Sequence, residues 1–268
     1  MSVILHLSDP HFGTEQPHVT AALLQLAQEL RPDIAILSGD ITQRAKRGQF
    51  AAARSFMEAL AAPVKLVIPG NHDIPLFNVF ARVFNPYGNY RRVFGKQLEP
   101  LFSSQHALVI GVNATRPWRH ADGEVSAKQI ERVAQQLRGA LPEQLRIVAV
   151  HQPVYVERES DLENLLHGHQ QAIKAWAAAG VDLILSGHIH LAYIRNLAEE
   201  TDGLTRSVWT LSAGTAISSR IREGKPNSVN LIRYEPEASS RHCQVERLDF
   251  DAATARFITA NTQVLALS

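Results

Sequence analysis

The sequence has a single cysteine, Cys243, among its 268 residues. One cysteine excludes an internal disulfide and any metal cluster held by several thiolates. An excess of one charge is also absent, because 27 lysines and arginines stand against 26 aspartates and glutamates, a formal net charge of +1. This balance gives no reason to expect bulk attraction to an anionic membrane or to nucleic acid, so no nucleic-acid partner is expected.

Long apolar runs are missing as well. No stretch approaches the roughly 18 consecutive apolar residues that a bilayer-crossing helix needs, so we expect no membrane insertion. The opening residues MSVILHLSDPHFG lack the basic region and the small-residue cleavage site of a secretory signal. Apolar residues still make up 45% of the chain, enough for a well-buried core at this length, so we expect a soluble cytoplasmic globular protein.

The sequence does contain short apolar runs that alternate with longer segments of helical period. Helices are predicted where apolar residues recur on one helical face, at 18–30, 48–61, 126–137 and 162–179. Strands are predicted where apolar runs are short, often β-branched and bounded by turn residues. These runs lie at 3–7, 34–37, 64–68, 106–112, 145–150, 181–186, 191–197, 204–211, 228–234 and 243–250.

This alternation in both halves predicts an α/β sandwich with a largely parallel inner sheet and antiparallel outer strands. No linker, repeat or low-complexity tract divides the chain, so residues 1–268 are expected to form one domain. Residues 74–105 fit the alternation poorly. Rich in aromatics and arginines, they are interpreted as an insertion over one end of the sheet. Residues 228–268 are interpreted as C-terminal strands and a tail.

Side chains that bind metals follow five predicted strands, at the point where each strand ends. In open α/β sheets, functional residues collect at the carboxyl ends of the strands, so these side chains are expected at one edge. In chain order they are Asp9 and His11, then Asp40, then Asn71 beside His72, then His151, and finally His188 and His190.

The donor types indicate which ions could bind. Imidazoles combined with carboxylates and one amide suit borderline divalent metals such as Mn, Fe, Zn or Co. Seven donors are too many for one ion and fit two, with Asp40 as the natural bridge because its tight turn ends a central strand. Two metals about 3.5–4 Å apart would share a hydroxide and stabilise the attacking and leaving oxygens of a phosphoryl centre. Each short motif alone is weak, since DPH and GD often mark only turns and GHIH could line one face of a strand.

The ordered series Asp9-x-His11, Gly39-Asp40, Gly70-Asn71-His72-Asp73, His151 and Gly187-His188-x-His190 resembles the calcineurin-like metallophosphoesterase superfamily, over roughly residues 3–215. Within it, the size and the motifs SDPHFG and IPGNHD look most like class III cyclic nucleotide phosphodiesterases and related bacterial phosphodiesterases. The resemblance implies a four-layer αββα sandwich with mixed sheets, a small insertion over the active-site edge and a dinuclear centre. One metal would take Asp9, His11, Asp40 and His190, and the other Asp40, Asn71, His151 and His188.

The resemblance also assigns roles within GNHD. Asn71 would be a neutral oxygen donor to the second metal, and His72 a catalytic imidazole that protonates or hydrogen-bonds the departing alkoxide. Asp73 would assist catalysis by orienting His72, or would cap the local turn, and both roles are open. Arg91 and Arg92 of the insertion join Asn71 and His72 as candidate substrate-binding residues, with a solvated surface as their alternative.

Three other sets of residues are candidates for a functional role. His6 lies within the first strand and is expected to be a hydrogen-bonded interior histidine rather than a ligand. The pair His167 and His169 falls within a predicted helix, so a solvated position is favoured. The basic segment with Arg220, Arg222 and Lys225 is either a mobile rim of the site or a surface loop without function.

These observations predict a dinuclear, metal-dependent phosphodiesterase. The expected partner is a small phosphodiester such as a 3',5'-cyclic nucleotide, attacked by a metal-bridging hydroxide. A glycerophosphodiester or phospholipid-linked diphosphate hydrolase is the alternative, with a nuclease or a non-catalytic scaffold less favoured. Every ligand position is filled, which argues against a scaffold. The oligomeric state is open, with a homodimer among the options.

Overall fold

The computed structural model describes residues 1–236 and 241–268, which contain twelve strands in two six-stranded sheets. The strands are β1 (Ser2–Leu7), β2 (Ile34–Leu37), β3 (Val64–Val67), β4 (Leu101–Ser103), β5 (Ala107–Val112), β6 (Leu145–Val150), β7 (Leu183–Ser186), β8 (Tyr193–Asn196), β9 (Trp209–Ser212), β10 (Ser228–Tyr234), β11 (His242–Asp251) and β12 (Arg256–Ala266).

Both sheets are mixed, as predicted. The first has the order β12-β11-β10-β1-β2-β3, in which β1, β2 and β3 are parallel and the other pairings are antiparallel. The second has the order β4-β5-β6-β7-β9-β8, with β5, β6, β7 and β9 parallel and an antiparallel strand at each edge. The parallel strands lie at the centre of the second sheet, so their carboxyl ends form one edge.

Within the described residues, seven α-helices connect or cover the strands. They are α1 (Pro17–Leu30), α2 (Arg47–Ala59), α3 (Val79–Phe84), α4 (Gly88–Phe94), α5 (Ala127–Arg138), α6 (His169–Ala178) and α7 (Leu197–Glu200), with 3-10 turns at Asn71–Asp73 and Glu159–Asn164. None of these helices combines the length and the apolar character that a bilayer crossing requires.

Three apolar cores separate four layers. Because side chains alternate along a strand, Leu5 of β1 packs on the side of α1 and α2, with Leu23 and Phe50. Its neighbour Ile4 faces the other way, into a core formed by strand residues of both sheets. A third core joins the second sheet to α5 and α6 and includes the buried Trp176. The predicted αββα sandwich is confirmed.

Two predicted elements differ from the structure, and one strand was not predicted. The helix predicted over 162–179 begins only at His169, because Gly168 adopts a left-handed conformation (φ 87°) and interrupts it. The strand predicted over 204–211 is limited to β9. Strand β12 was treated as a tail, since most of its side chains are exposed and the segment has no apolar run that would reveal it.

The segment 74–105 contains two short helices and the start of the second sheet. Helix α4 packs on α2 through Tyr90 and Phe94, whose rings lie against Phe50. Strand β4 pairs with β5 and therefore belongs to the second sheet. The part of the segment that belongs to neither sheet thus ends before Leu101, and Tyr90 and Phe94 attach it to the body of the protein.

Candidate metal centre and active site

The carboxyl ends of the strands bring the predicted donors into two clusters. Asp9, His11 and His190 form one cluster, and Asp40, His151 and His188 form the other, with the donor atoms of each lying within 4.8 Å of one another. A third group of donors at this spacing, His11, Asp40 and His72, overlaps both. The two clusters correspond to the two predicted ligand sets. Whether each residue binds a metal stays a prediction.

Asp40 lies between the two clusters. Its Oδ2 is 3.6 Å from Nε2 of His11, in the first cluster, and its Oδ1 is 3.2 Å from Nε2 of His151, in the second. One carboxylate therefore presents a different oxygen to each cluster. This is the geometry that a bridging ligand requires.

Backbone carbonyls fix the orientation of two imidazoles. His151 donates from Nδ1 to the carbonyl of Ser38 (2.8 Å), and His190 donates from Nδ1 to the carbonyl of Arg220 (2.6 Å). Because a carbonyl only accepts, each Nδ1 carries a proton and each Nε2 faces the cluster. Such contacts to the far nitrogen orient metal-binding histidines in proteins.

Several buried polar atoms have no hydrogen-bond partner among the described residues. They include Asp9 Oδ1, Asn71 Oδ1 and His151 Nε2. An unpaired buried polar atom costs about 1–3 kcal/mol, so three in one site need an explanation. Two divalent cations placed among these oxygen and nitrogen donors would satisfy them. The residues present therefore fit a dinuclear centre.

The backbone is strained where the donors are held. Five predicted ligands have φ in the left-handed region, which non-glycine residues rarely adopt. They are Asp9 (53°), His11 (44°), Asp40 (46°), His188 (69°) and His190 (57°). Such strain clusters at functional sites because the surrounding fold must hold it in place.

Two glycines allow this close packing. A Cβ on Gly39, whose φ is 104°, would lie 2.5 Å from Nδ1 of His151. A Cβ on Gly187 would lie 1.8 Å from Ser8 Oγ and 2.3 Å from Asp9 Oδ2. A side chain at either position would push metal-binding groups out of place, so the Gly-Asp and Gly-His motifs have a steric cause.

The charges of the buried groups are strongly coupled. Burial alone would raise the pKa of Asp9 and of Asp40, but the neighbouring imidazoles lower both pKa values well below the usual range. Burial alone would lower the pKa of His151, yet Asp40 outweighs it and raises that pKa to about 9. Burial and His151 lower the pKa of His188 to about 4. The carboxylates of the site thus stabilise positive charge beside them. Bound metal cations would supply such a charge.

The GNHD motif forms a 3-10 turn at the edge of the site. His72 donates its backbone N–H to Asp40 Oδ1 (2.8 Å) and its Nδ1 proton to the carbonyl of Gln43 (3.0 Å). Its Nε2 lies 3.9 Å from Asp40 Oδ2. The imidazole is therefore held beside the clusters, with Nε2 directed toward them.

The Asp73 carboxylate is hydrogen-bonded within the GNHD turn and to the neighbouring segment at Ile41 and Thr42. Its carboxylate accepts hydrogen bonds from the backbone N–H groups of Gly70, Ile41 and Thr42, and from the Thr42 hydroxyl. Burial, with the nearby Asp40 charge, raises the pKa of Asp73 to about 7. Nδ1 of His72 contacts the Gln43 carbonyl and not the Asp73 carboxylate. These contacts favour the alternative role, a cap of the turn.

Arg91 and Arg92 are not near the donors in the way that was predicted. Both are exposed on α4, where Arg91 lies over the Tyr87 ring at 5.8 Å and Arg92 donates to Asn89 at 3.4 Å. Neither lines the cavity that contains the donors. Tyr90 is the residue of α4 that is buried against the body, whereas both arginines are exposed, in agreement with the solvated alternative.

The cavity over the clusters has a volume of about 580 Å³, a size suited to a small molecule. Besides the predicted residues, it is lined by His120, Arg220 and Arg222. Arg220 had been noted only as part of a basic segment with an open role, and Gln43, its neighbour in the structure, had no sequence signal at all. His6 is a buried histidine that contacts Ser38, as predicted.

Comparisons with known proteins were consistent with this geometry. A family model described as calcineurin-like phosphoesterase matches residues 2–192. A probable cyclic nucleotide phosphodiesterase from Synechococcus sp. is 28% identical over 246 residues, covering 87% of this chain and 83% of that protein. The glycerophosphodiester phosphodiesterase GpdQ from Enterobacter lignolyticus is 33% identical over 82 residues, covering 26% of this chain and 29% of that protein.

The fold also matches solved structures. A purple acid phosphatase from yellow lupin (Lupinus luteus) seeds aligns with 99% of this chain at a TM-score of 0.72 and 11% identity. The chain spans about half of that protein, 53% of its length. At this identity the likeness concerns the fold alone.

Proposed function

Because the chain belongs to the calcineurin-like phosphoesterase family, we propose that it hydrolyses a small phosphodiester, with a 3',5'-cyclic nucleotide as the first candidate. It is a metal-dependent phosphoric diester hydrolase whose cofactors are two divalent metal ions. The observation that carries the proposal is the position of Asp40 between two clusters of donors. Mn, Fe, Zn and Co stay the predicted metals.

When bound, two divalent cations would supply Lewis-acid chemistry, activating water and neutralising charge on the phosphoryl oxygens. Asp9, His11, Asp40 and His190 would hold one ion, and Asp40, Asn71, His151 and His188 the other. The protein contributes the fixed orientation of these side chains. Ser38 and Arg220 hold two imidazoles by their Nδ1 atoms through backbone carbonyls, which leaves each Nε2 as the nitrogen that would bind an ion.

His72 is proposed to protonate or hydrogen-bond the leaving group. Its Nδ1 is held by the Gln43 carbonyl, so the orientation of the ring does not depend on a metal, and its Nε2 faces the cavity. A proton carried at Nε2 could be donated to, or shared with, the departing alkoxide oxygen. Asp73 is proposed to act through the turn that carries Asn71 and His72, without touching substrate.

A substrate panel tests the proposal. The enzyme would be reconstituted separately with Mn, Fe, Zn and Co and assayed on bis-p-nitrophenyl phosphate, p-nitrophenyl phosphate, cyclic nucleotides and glycerophosphodiesters. We expect the diester bis-p-nitrophenyl phosphate to be preferred over the monoester, and a cyclic nucleotide to be the best of the natural compounds. A clear preference for the monoester would refute a diesterase.

Glycerophosphodiesters are the second candidate, supported by the local identity to GpdQ. The matched segment is short, so cyclic nucleotides rank first on the longer alignment. The kcat/KM ratio for the two natural substrate classes, measured with the same metal, decides between them. A higher value for the glycerophosphodiester would reverse the ranking.

For assembly we propose a homodimer that uses an exposed apolar cluster. The cluster consists of Phe77, Val79, Phe80, Val83, Phe84 and Trp118, which are 63–79% exposed. Arg82 connects helix α3 to the loop that carries Trp118, because its side chain donates to the carbonyls of Pro117 and Pro75. Helix α3, which carries most of the cluster, has no buried residue, whereas helices in proteins are stabilised mainly by packing.

The size of this apolar cluster suits contact with a second copy of the chain. Its four aromatic side chains, each able to bury about 150–250 Å², would remove on the order of 500 Å² from water. The two valines and neighbouring polar atoms would add to this. A standard interface buries about 800 Å² on each partner, so the cluster would form most of one.

We also propose a cytoplasmic location. The single cysteine, Cys243, is buried in the core between the sheets, so the fold does not rely on a disulfide and suits a reducing compartment. Cell fractionation with an antibody against the protein tests this, and recovery of the protein outside the cytoplasmic fraction would refute it.

A further inference from the structure

The guanidinium of Arg220 lies among residues of the active site. Its Nη1 is 3.1 Å from the Gln43 side-chain oxygen and 3.3 Å from Nε2 of His72. The same atom is 3.3 and 3.4 Å from the two ring nitrogens of His11. The positive charge of Arg220 therefore lies beside His11 of the first metal cluster. It also lies beside His72, the histidine proposed to interact with the leaving group.

The backbone of Arg220 is held independently of its side chain. Its carbonyl accepts from His190 Nδ1 and from the Thr215 hydroxyl (3.2 Å), and its N–H donates to the Ser218 hydroxyl (2.9 Å). Nearby, Arg222 donates to the carbonyl of Ile189. The segment is anchored, in contrast to a mobile rim, and the guanidinium can be removed without removing the carbonyl that holds His190.

The charge of Arg220 has no carboxylate partner. Within the described ranges 1–236 and 241–268, no carboxylate oxygen lies within 4.0 Å of its guanidinium nitrogens. The neighbouring Arg222, by contrast, is paired with the buried Asp161 at 2.8 Å and with Glu223 at 3.5 Å. The cavity is thus bordered by one neutralised arginine and one arginine whose charge is available to an anion.

Gln43 holds this arginine and the histidine in one arrangement. Its side-chain oxygen accepts from Arg220, its carbonyl accepts from His72, and its N–H donates to the carbonyl of Phe12 at 3.0 Å. The backbone of Gln43 is fixed to the chain that carries His11. Gln43 therefore fixes the distance between the Arg220 guanidinium and the His72 imidazole, beside the metal cluster.

We propose that Arg220, positioned by Gln43, forms a binding site for a non-bridging oxygen of a phosphoryl group. The ligand class is phosphate, as the diester group of a substrate or as the inorganic ion. A guanidinium presents N–H donors in a planar fork that matches phosphate oxygens, and a charge-assisted hydrogen bond is about twice as strong as a neutral one. The proposal rests on the proposed function for the identity of the group that is bound.

Binding of inorganic phosphate to the metal-loaded protein tests the site without any turnover. Isothermal titration calorimetry would compare the wild type with Arg220→Ala, Arg220→Lys and Gln43→Glu. Lys225→Ala is the matched control, because it removes an exposed positive charge from the same loop outside this cavity. Metal content would be measured in each sample by mass spectrometry.

We expect Arg220→Ala to weaken phosphate binding about 10- to 100-fold, the loss of one charge-assisted hydrogen bond, at unchanged metal content. Arg220→Lys should recover part of the loss, since it restores the charge without the fork. Gln43→Glu should weaken binding as well, because the new carboxylate would pair with Arg220. Lys225→Ala should bind as the wild type does.

Three results would overturn the inference: wild-type affinity in Arg220→Ala, equal losses in Arg220→Ala and Lys225→Ala, or loss of a metal from Arg220→Ala. The last would mean that the side chain supports the metal ligand His11 instead of the anion. A protein that binds phosphate through Arg220 but cleaves no diester would uphold this site and refute the proposed function, so the two failures are distinguishable.

Discussion

The Nε2 atom of His151 lies 3.2 Å from Oδ1 of Asp40. The Nδ1 proton of His151 is already donated to the carbonyl of Ser38, so a neutral imidazole would direct a lone pair at a carboxylate. Two acceptors at this distance need a positive charge between them. In the absence of a metal, a proton on His151 provides this positive charge, and the Asp40 carboxylate therefore raises the pKa of His151 to about 9. A divalent cation bound between the two atoms would provide a larger positive charge.

His72→Ala should keep both metals and lose rate by about 10²–10⁴-fold, the usual contribution of a positioned acid. Its ring is held by Gln43, and Nε2 is the atom directed toward the cavity. The loss should be smaller for p-nitrophenolate leaving groups, which need little protonation. Steady-state kinetics and metal analysis check this. A lost metal would make His72 a ligand, and equal losses on good and poor leaving groups would exclude the acid role.

Asp73→Ala should lower the free energy of unfolding by about 3 kcal/mol or more. The change leaves the backbone N–H groups of Gly70, Ile41 and Thr42 without their acceptor in a buried place, at about 1–3 kcal/mol each. Asp251→Ala is the control, since Asp251 also caps a turn, through Ala253 and Thr254, but in contact with water. Denaturant unfolding measures both, and similar losses would contradict the assigned role of Asp73.

His6 should make the protein less stable in acid. Burial lowers the pKa of His6 to about 3 in the folded state, against an ordinary value of 6.5 for histidine. Between these pH values the unfolded chain binds the proton and the folded chain does not, so the free energy of unfolding falls as the pH falls from about 6.5 toward 3.

The contribution of His6 is separable by substitution. In metal-free protein, His6→Asn should show a shallower decline of unfolding free energy over this pH range than the wild type. His167→Asn is the control, because the His167 side chain is about half exposed. Identical slopes in His6→Asn and the wild type would show that His6 does not contribute.

The double variant Phe80→Asp/Phe84→Asp should be monomeric. The centroids of the two tilted rings lie 4.6 Å apart on the exposed face of α3, and charges there would have to be buried in the proposed dimer. Leu162→Asp, at another exposed apolar residue, should leave the dimer intact. Sedimentation velocity distinguishes these results, and a monomeric wild type at micromolar concentration would refute the dimer.

The sequence was most informative where local pattern and chemistry coincide. A strand such as β1 has an apolar run bounded by a turn, and its end carries Asp9 and His11, so both the element and its position in the site were predictable. The same reasoning placed Asp40, His151 and His188 at one edge, because parallel strands end together.

Other features depend on contacts between distant parts of the chain. Arg220 reaches Gln43 across 177 residues, and nothing near either residue predicts that contact. Arg91 and Arg92 were candidates for substrate contact with a solvated surface as the alternative, and their exposure on α4 follows from the packing of Tyr90. Strand β12 is stabilised by pairing with β11 rather than by an apolar pattern of its own.

The metal content of Asp40→Ala tests the central claim most directly. Wild-type protein, reconstituted and freed of excess metal, should hold two ions per chain by elemental mass spectrometry. His188→Ala should lose mainly one ion, since it removes a donor from one cluster, whereas Asp40→Ala should lose both together because its two oxygens face both clusters. One ion retained at full occupancy in Asp40→Ala would contradict a shared, bridging Asp40.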